Sequence, residues 1–95
     1  MSMRFVWDPE KAKANLRKHG VSFEEALTVF GEVLARIHDD PEHSKGERRE
    51  IIVGHSSRGR LLLVSFTERR GMVRLINARR ATRHERKDYE TGTRV

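Results

Sequence analysis

The 95 residues contain no cysteine, which excludes a disulfide framework and thiolate metal sites. No apolar run approaches the length of a membrane span or a signal-peptide core, so a soluble, cytoplasmic protein is expected. Repeats, low-complexity tracts and glycine-rich phosphate loops are missing as well. The five histidines, His19, His38, His43, His55 and His84, lack the i, i+4 or HExxH spacing of a zinc helix, so neither a metal nor a cofactor is expected. Aromatic side chains are few, with one Trp, one Tyr and four Phe. A core claims most of them, which argues against recognition of nucleic acid by base stacking alone.

What the chain has in quantity is charge, and arginine above all. Charged residues make up 36% of it, equal to the apolar fraction. Residues 1–47 hold 7 Lys and Arg against 9 Asp and Glu, a balance of −2; residues 48–95 hold 13 against 5, a balance of +8, giving the formal net charge of +6. A field concentrated in one half marks a face that attracts a polyanion. Lys87 is the only lysine among those 13 cations. Solubility alone does not discriminate against lysine, whereas phosphate and carboxylate recognition favours the arginine fork.

The length suits one domain with one modest core. Arg4 to Trp7 reads as a short strand. Asp8-Pro9 then starts a helix, with Asp as N-cap and Pro in the first turn, and His19-Gly20 stops it. Ala12, Leu16 and His19 are expected on its inner face. Ser22 and Glu25 are spaced as a capping box ahead of Phe23, Ala26, Leu27 and Phe30, an amphipathic helical pattern. Val33–Ile37 alternates as a strand and leads into a polar loop, 39–46. Ile51–Val53, Leu61–Phe66 and Met72–Ala78 are three further strands joined by short glycine-bearing turns. Thr82 and Glu85 form a second capping box before a helix over 83–90, and 91–95 read as a frayed tail. The order β-α-α-β-β-β-β-α implies an α+β fold, a small antiparallel sheet with its helices on one face.

Chemistry concentrates where the last strand ends. Arg79 and Arg80 are adjacent, so in an extended strand they point to opposite faces, and at most one is expected to touch a scissile phosphate. Lys18-His19, at a helix end, combines a phosphate-binding cation with an imidazole that titrates near neutrality; the helix dipole explains the pair equally well. Glu68 is placed for acid–base work beside the last strand, while Glu47 reads as an ion-pair partner. His55 and Arg60 flank one hairpin, and strand pairing is expected to bring them near each other. Tyr89 reads as core, and Glu85 as a cap.

Phe5-Val6-Trp7-Asp8-Pro9-Glu10-Lys11, Asn15 to Ala26, Gly59 to Val64, Phe66-Thr67-Glu68-Arg69 and Ile76 to Ala81 stand in one order along the chain. Together they resemble the BrnT family of bacterial type II toxins over nearly its whole length, from Phe5 to about Tyr89. The resemblance implies a RelE-like ribonuclease fold, metal-independent cleavage of RNA, and inhibition of translation. It also implies a BrnA-like ribbon-helix-helix antitoxin, with two toxins bridged by an antitoxin dimer. Two positions depart from the family pattern: a usual tyrosine is Phe66, which excludes a phenol there, and a usual serine is Asn77. On this reading Arg79, Arg80, Glu68, Lys18, His19 and His55 are the catalytic candidates, and Arg48, Arg49, Arg60, Arg74 and Arg83 hold the RNA. A non-catalytic nucleic-acid-binding module and an antitoxin-docking subunit are the alternatives.

Overall fold

The computed structural model describes residues 3–92. The strands are β1 (Arg4–Val6), β2 (Arg36–Asp39), β3 (Arg49–His55), β4 (Leu61–Arg69) and β5 (Met72–Arg80), and the helices are α1 (Pro9–His19), α2 (Phe23–Leu27) and α3 (Arg83–Thr91). They build one five-stranded sheet in the order β1-β5-β4-β3-β2. β2 to β5 form an antiparallel meander, but β1 runs parallel to β5, Arg4 opposite Met72 and Val6 opposite Arg74. The expected antiparallel sheet is therefore mixed. Hairpin turns disclose which consecutive strands pair, and β1 has no hairpin partner to disclose its own.

The helices occupy both faces, not one. α1 and α2 cover the side where Ile52, Leu62, Val64, Phe66, Val73 and Leu75 join Val21, Phe23, Ala26 and Val29 in the main core. Trp7 meets Phe23 edge to face at 5.8 Å, and Phe30 meets both Phe5 and Phe66 at 5.0 Å. Full burial of Phe23 or Leu62 contributes roughly 2–3 kcal/mol each. On the opposite side α3 lays Tyr89 over Val53, Leu61 and Leu63. The unbroken apolar run Leu61–Val64 feeds both cores, the mark of a strand buried on two faces.

Local signals account for most boundaries. Asp8 caps α1 by accepting from the Glu10 N–H at 2.8 Å, and Gly20 closes it in the left-handed region at φ 69°. The residue α1 buries is Asn15, while Leu16 on its outer side is half exposed. Thr82 and Glu85 form the expected reciprocal capping box. Ser22 and Glu25 form only half of one: the Ser22 hydroxyl accepts from the Glu25 N–H, but the Glu25 carboxylate turns away to bind Arg60 and Ser56. α2 ends at Leu27 and tightens into a 3-10 turn over Thr28–Gly31. The second strand starts at Arg36, later than Val33, because 33–34 form a turn in which both side chains face solvent. Thr91 ends α3 rather than opening a tail, and 93–95 lie outside the described residues.

Two glycines carry geometry. A Cβ on Gly54 would stand 2.8 Å from the Ala35 Cβ, so β3 admits no side chain there. The β4–β5 hairpin turns on Arg70-Gly71, both left-handed at φ 53° and 80°, the backbone of a two-residue primed turn.

Candidate functional site

The β5 register slips between Leu75 and Asn77: Phe66 faces Leu75 and Ser65 faces Asn77, leaving Ile76 as an extra, bulged residue. Bulges re-aim side chains and interrupt an edge. Because β1 stops at Val6, β5 from here onward lacks a strand on its outer side, and α1 takes that place. Asn15 supplies the missing backbone partner. Its amide donates to the Ala78 and Val21 carbonyls at 2.8 and 2.9 Å and accepts from the Ala78 N–H at 3.0 Å. A buried asparagine thus satisfies the strand edge and fixes the spacing between α1 and the bulge.

Three clefts follow one another along β5, two of them at that bulge. The first lies between the β4–β5 hairpin and β1, lined by Val6, Glu47, Thr67, Arg69, Arg70, Met72 and Arg74. The second shares Arg74 and adds Asp8, Lys11, Arg49, Leu75 and Ile76. The third shares Lys11 and Ile76 and runs on past Ala14, Asn15 and Asn77 to Lys18 and His19. One groove therefore passes from the hairpin, across the part of the sheet that α3 leaves open, to the C-terminal end of α1. Its cations are Arg69, Arg70, Arg74, Arg49, Lys11 and Lys18, and Asp8 and Glu47 are its carboxylates. Arg74 donates to Glu47 at 2.7 Å, and both side chains are about half exposed. Arg49, Arg69, Arg70, Lys11 and Lys18 make no side-chain ion pair among the described residues. Such a row of unneutralised cations on a concave surface focuses a positive field along it.

The candidates named from sequence divide around this groove. Lys18, His19, Arg49 and Arg74 line it. Arg79 and Arg80 separate as strand alternation requires, Arg79 opposite Leu63 and Arg80 opposite Leu62. Arg79 lies on the face that α3 covers, two residues beyond Asn77, and its fork is engaged: Nη1 and Nη2 each donate at 2.8 Å to one oxygen of Glu85. That bidentate pair, with the Thr82 N–H, holds the Glu85 carboxyl down at about pKa 2, against 4.5 ordinarily, and raises Arg79. Arg80 and Arg83 are exposed and without an ion pair among the described residues.

Other candidates carry structural partners. Arg60 and His55 do not meet, because alternation sends them to opposite faces. Arg60 reaches the buried Glu25 through Nε at 2.9 Å and through Nη2, and it donates from Nη2 to the Gly20 carbonyl at 3.0 Å, capping α1. The Arg60 fork, with help from Ser56, keeps the Glu25 carboxyl below its usual range against the opposing effect of burial. His55 packs edge-on against Tyr89, with Glu32 3.7 Å from its Nδ1. Glu68 accepts from the Gly71 N–H at 2.8 Å and so braces the hairpin. Arg48 donates to Asp39 from Nε and Nη2. Tyr89 is core, its hydroxyl donating to the Leu34 carbonyl at 3.1 Å and its ring lying under Arg36.

Sequence reasoning missed Lys11, Arg69, Arg70, Asn77 and Asp8 as groove residues. For Lys11 a signal existed: it precedes Lys18 by seven positions, two helical turns, which places both on one face of α1. Asn77 stands beside the bulge, which no residue pattern announced, whereas Asp8, Arg69 and Arg70 line the groove from outside it.

The sequence profile of the family described as the ribonuclease toxin BrnT of type II toxin–antitoxin systems matches residues 7–85. Among solved structures, the 1.1 Å crystal structure of the Brucella abortus ribonuclease toxin BrnT is similar, with a TM-score of 0.68 and 21% identity. The likeness covers 86% of this chain and 100% of that one. No curated protein sequence matches. With its α+β frame, mixed five-stranded sheet and three helices, the chain belongs to the BrnT family of ribonuclease toxins of type II toxin–antitoxin systems.

Proposed function

We propose that this protein is a metal-independent endoribonuclease that binds RNA along the groove beside the β5 bulge and inhibits translation by cutting it. The observation that carries the reading is the joining of three clefts into one cationic path with His19 at its end. Cleavage of RNA by its own 2′-hydroxyl requires removal of that proton, stabilisation of charge on the pentavalent phosphorus, and protonation of the departing 5′-oxygen. The phosphorus–5′-oxygen bond breaks as the 2′-oxygen bonds phosphorus, leaving a 2′,3′-cyclic phosphate. Lys18, Lys11, Arg49 and Arg74 supply charge along the backbone, and His19 is the titratable group placed to move a proton. Arg79, paired with Glu85, adds a further cation at the end of β5.

Among the described residues no three His, Cys, Asp or Glu side chains gather as metal ligands. The fold reading is RelE-like. The partner is a BrnA-like ribbon-helix-helix antitoxin, an antitoxin dimer bridging two toxins, and the setting is the cytoplasm. No helix among the described residues is long and apolar enough to cross a membrane.

The test is direct. Purified full chain, free of antitoxin, is incubated with a mixed RNA pool in excess chelator, and 2′,3′-cyclic ends are mapped. Cleavage is expected, with a loss of at least a hundredfold in His19→Gln, in keeping with the contribution of a positioned acid or base, about 10²–10⁴. Intact RNA with the wild-type chain refutes the reading.

A further inference from the structure

The hairpin end of the groove differs in kind from the rest. Its cleft, about 400 Å³, has an apolar floor, because Val6 and Met72 remain 37% and 39% exposed there on neighbouring strands. Around that floor stand Arg69, Arg70, Arg74 and the single carboxylate Glu47. A phosphate backbone needs cations but no apolar floor. A base lifted out of its stack needs both, a surface for its ring and polar groups for its edge.

A second observation concerns Arg70. It is the one described non-glycine residue with positive φ, at 53°. The first position of this turn suits Asn, Asp or Gly, and a long side chain there is strained. Strain of this kind gathers at ligand-binding sites, where an observed outlier points to a function. Arg70 lines the cleft.

We infer that this cleft is a subsite for one unpaired guanine of the bound RNA, its ring on Val6 and Met72. This assignment rests on the ribonuclease reading above. Guanine fits the donors and acceptors present. Its O6 and N7 accept from arginine, the commonest specific base contact. Its N1–H and N2–H₂ are adjacent donors, and a carboxylate, which only accepts, matches that pair. Adenine, cytosine and uracil lack two adjacent donors on one edge. Glu47 lends one oxygen to Arg74 and keeps the other free of partners among the described residues. The ion pair thus holds the carboxylate at the rim before RNA arrives.

The experiment separates the subsite from the reaction. Heptamers of 2′-O-methyl uridine, which cannot be cut, carry G, A, C or U at the centre, and their Kd values for the full chain are measured by fluorescence anisotropy. The guanine heptamer is expected to bind about tenfold more tightly than the others. Glu47→Gln and Arg70→Asn are each expected to reduce that advantage below threefold. Arg70→Asn should also raise Tm by about 4 °C as strain is relieved, which separates loss of binding from loss of fold. Equal affinity for all four bases, or an undiminished advantage in both variants, overturns the subsite even if unmodified RNA is cut. A chain that prefers guanine yet leaves unmodified RNA intact refutes the ribonuclease reading instead.

Discussion

Breaking the pair between Arg79 and Glu85 separates two roles that a single alanine substitution confuses. The Glu85 carboxyl titrates at about 2 rather than 4.5, and each pKa unit corresponds to about 1.4 kcal/mol, so the ceiling for its stabilisation is about 3 kcal/mol. The Arg79 side chain is 38% exposed, and solvent screening reduces the realised coupling to about 1–1.5 kcal/mol. A double-mutant cycle of Arg79→Ala and Glu85→Gln, read by urea denaturation, should return that coupling; a value below about 0.3 kcal/mol refutes the geometry. The same proteins, assayed for RNA cleavage well below their melting temperatures, decide the chemical role. If Arg79 touches the substrate phosphate, Arg79→Ala loses at least a hundredfold, a typical effect of removing one charge-stabilising donor. Glu85→Gln, which keeps the arginine, should lose less than tenfold. Equal losses in the two variants would make Arg79 an anchor for α3 and remove it from the chemistry.

Three further outcomes follow from the packing and the charges. Asn15→Ala removes three buried hydrogen bonds from the β5 edge; at about 1 kcal/mol each the loss is about 3 kcal/mol, a fall in Tm of roughly 15 °C, measurable by circular dichroism. Gly54→Ala should destabilise by about 1–3 kcal/mol, since the new methyl meets Ala35 and Val29, and denaturant midpoints will show it. Glu85 and Glu25 both have lowered folded-state pKa values, so their stabilisation is present above pH 4.5 and is lost as pH falls through those lowered values, about 2 for Glu85. Tm should therefore hold level from pH 7 to 5 and drop below 4.5, with a smaller drop in Glu85→Gln; an identical acid limb in that variant contradicts the assignment.

Capping residues and turn glycines made most elements legible, since they act within a few positions of themselves. Asp8-Pro9, Gly20, Thr82 with Glu85, and Arg70-Gly71 each set a boundary that the structure keeps. What stayed hidden depends on partners distant in sequence. Glu25 and Ser22 have the spacing of a reciprocal cap, yet Arg60 outcompetes the helix N-terminus for the carboxylate. The parallel pairing of β1 and the face taken by α3 are likewise set by packing. For the site, alternation correctly separated Arg79 from Arg80 and family resemblance pointed at Lys18 and His19. Lys11 lines the clefts at the bulge while Arg69 and Arg70 line the cleft at the hairpin, and no local pattern links the two ends.

The pairing of β1 with β5 also dictates an order of assembly. Arg4 leaves the ribosome long before its partner Met72. Contacts so far apart in sequence form late, after a costly loop closure. Val6 and Asp8 reach the groove only through that pairing, so a nascent chain lacks the site until its last strand is made. A chain truncated before β5 should therefore neither bind nor cut RNA, a behaviour that binding assays on stalled nascent chains can check.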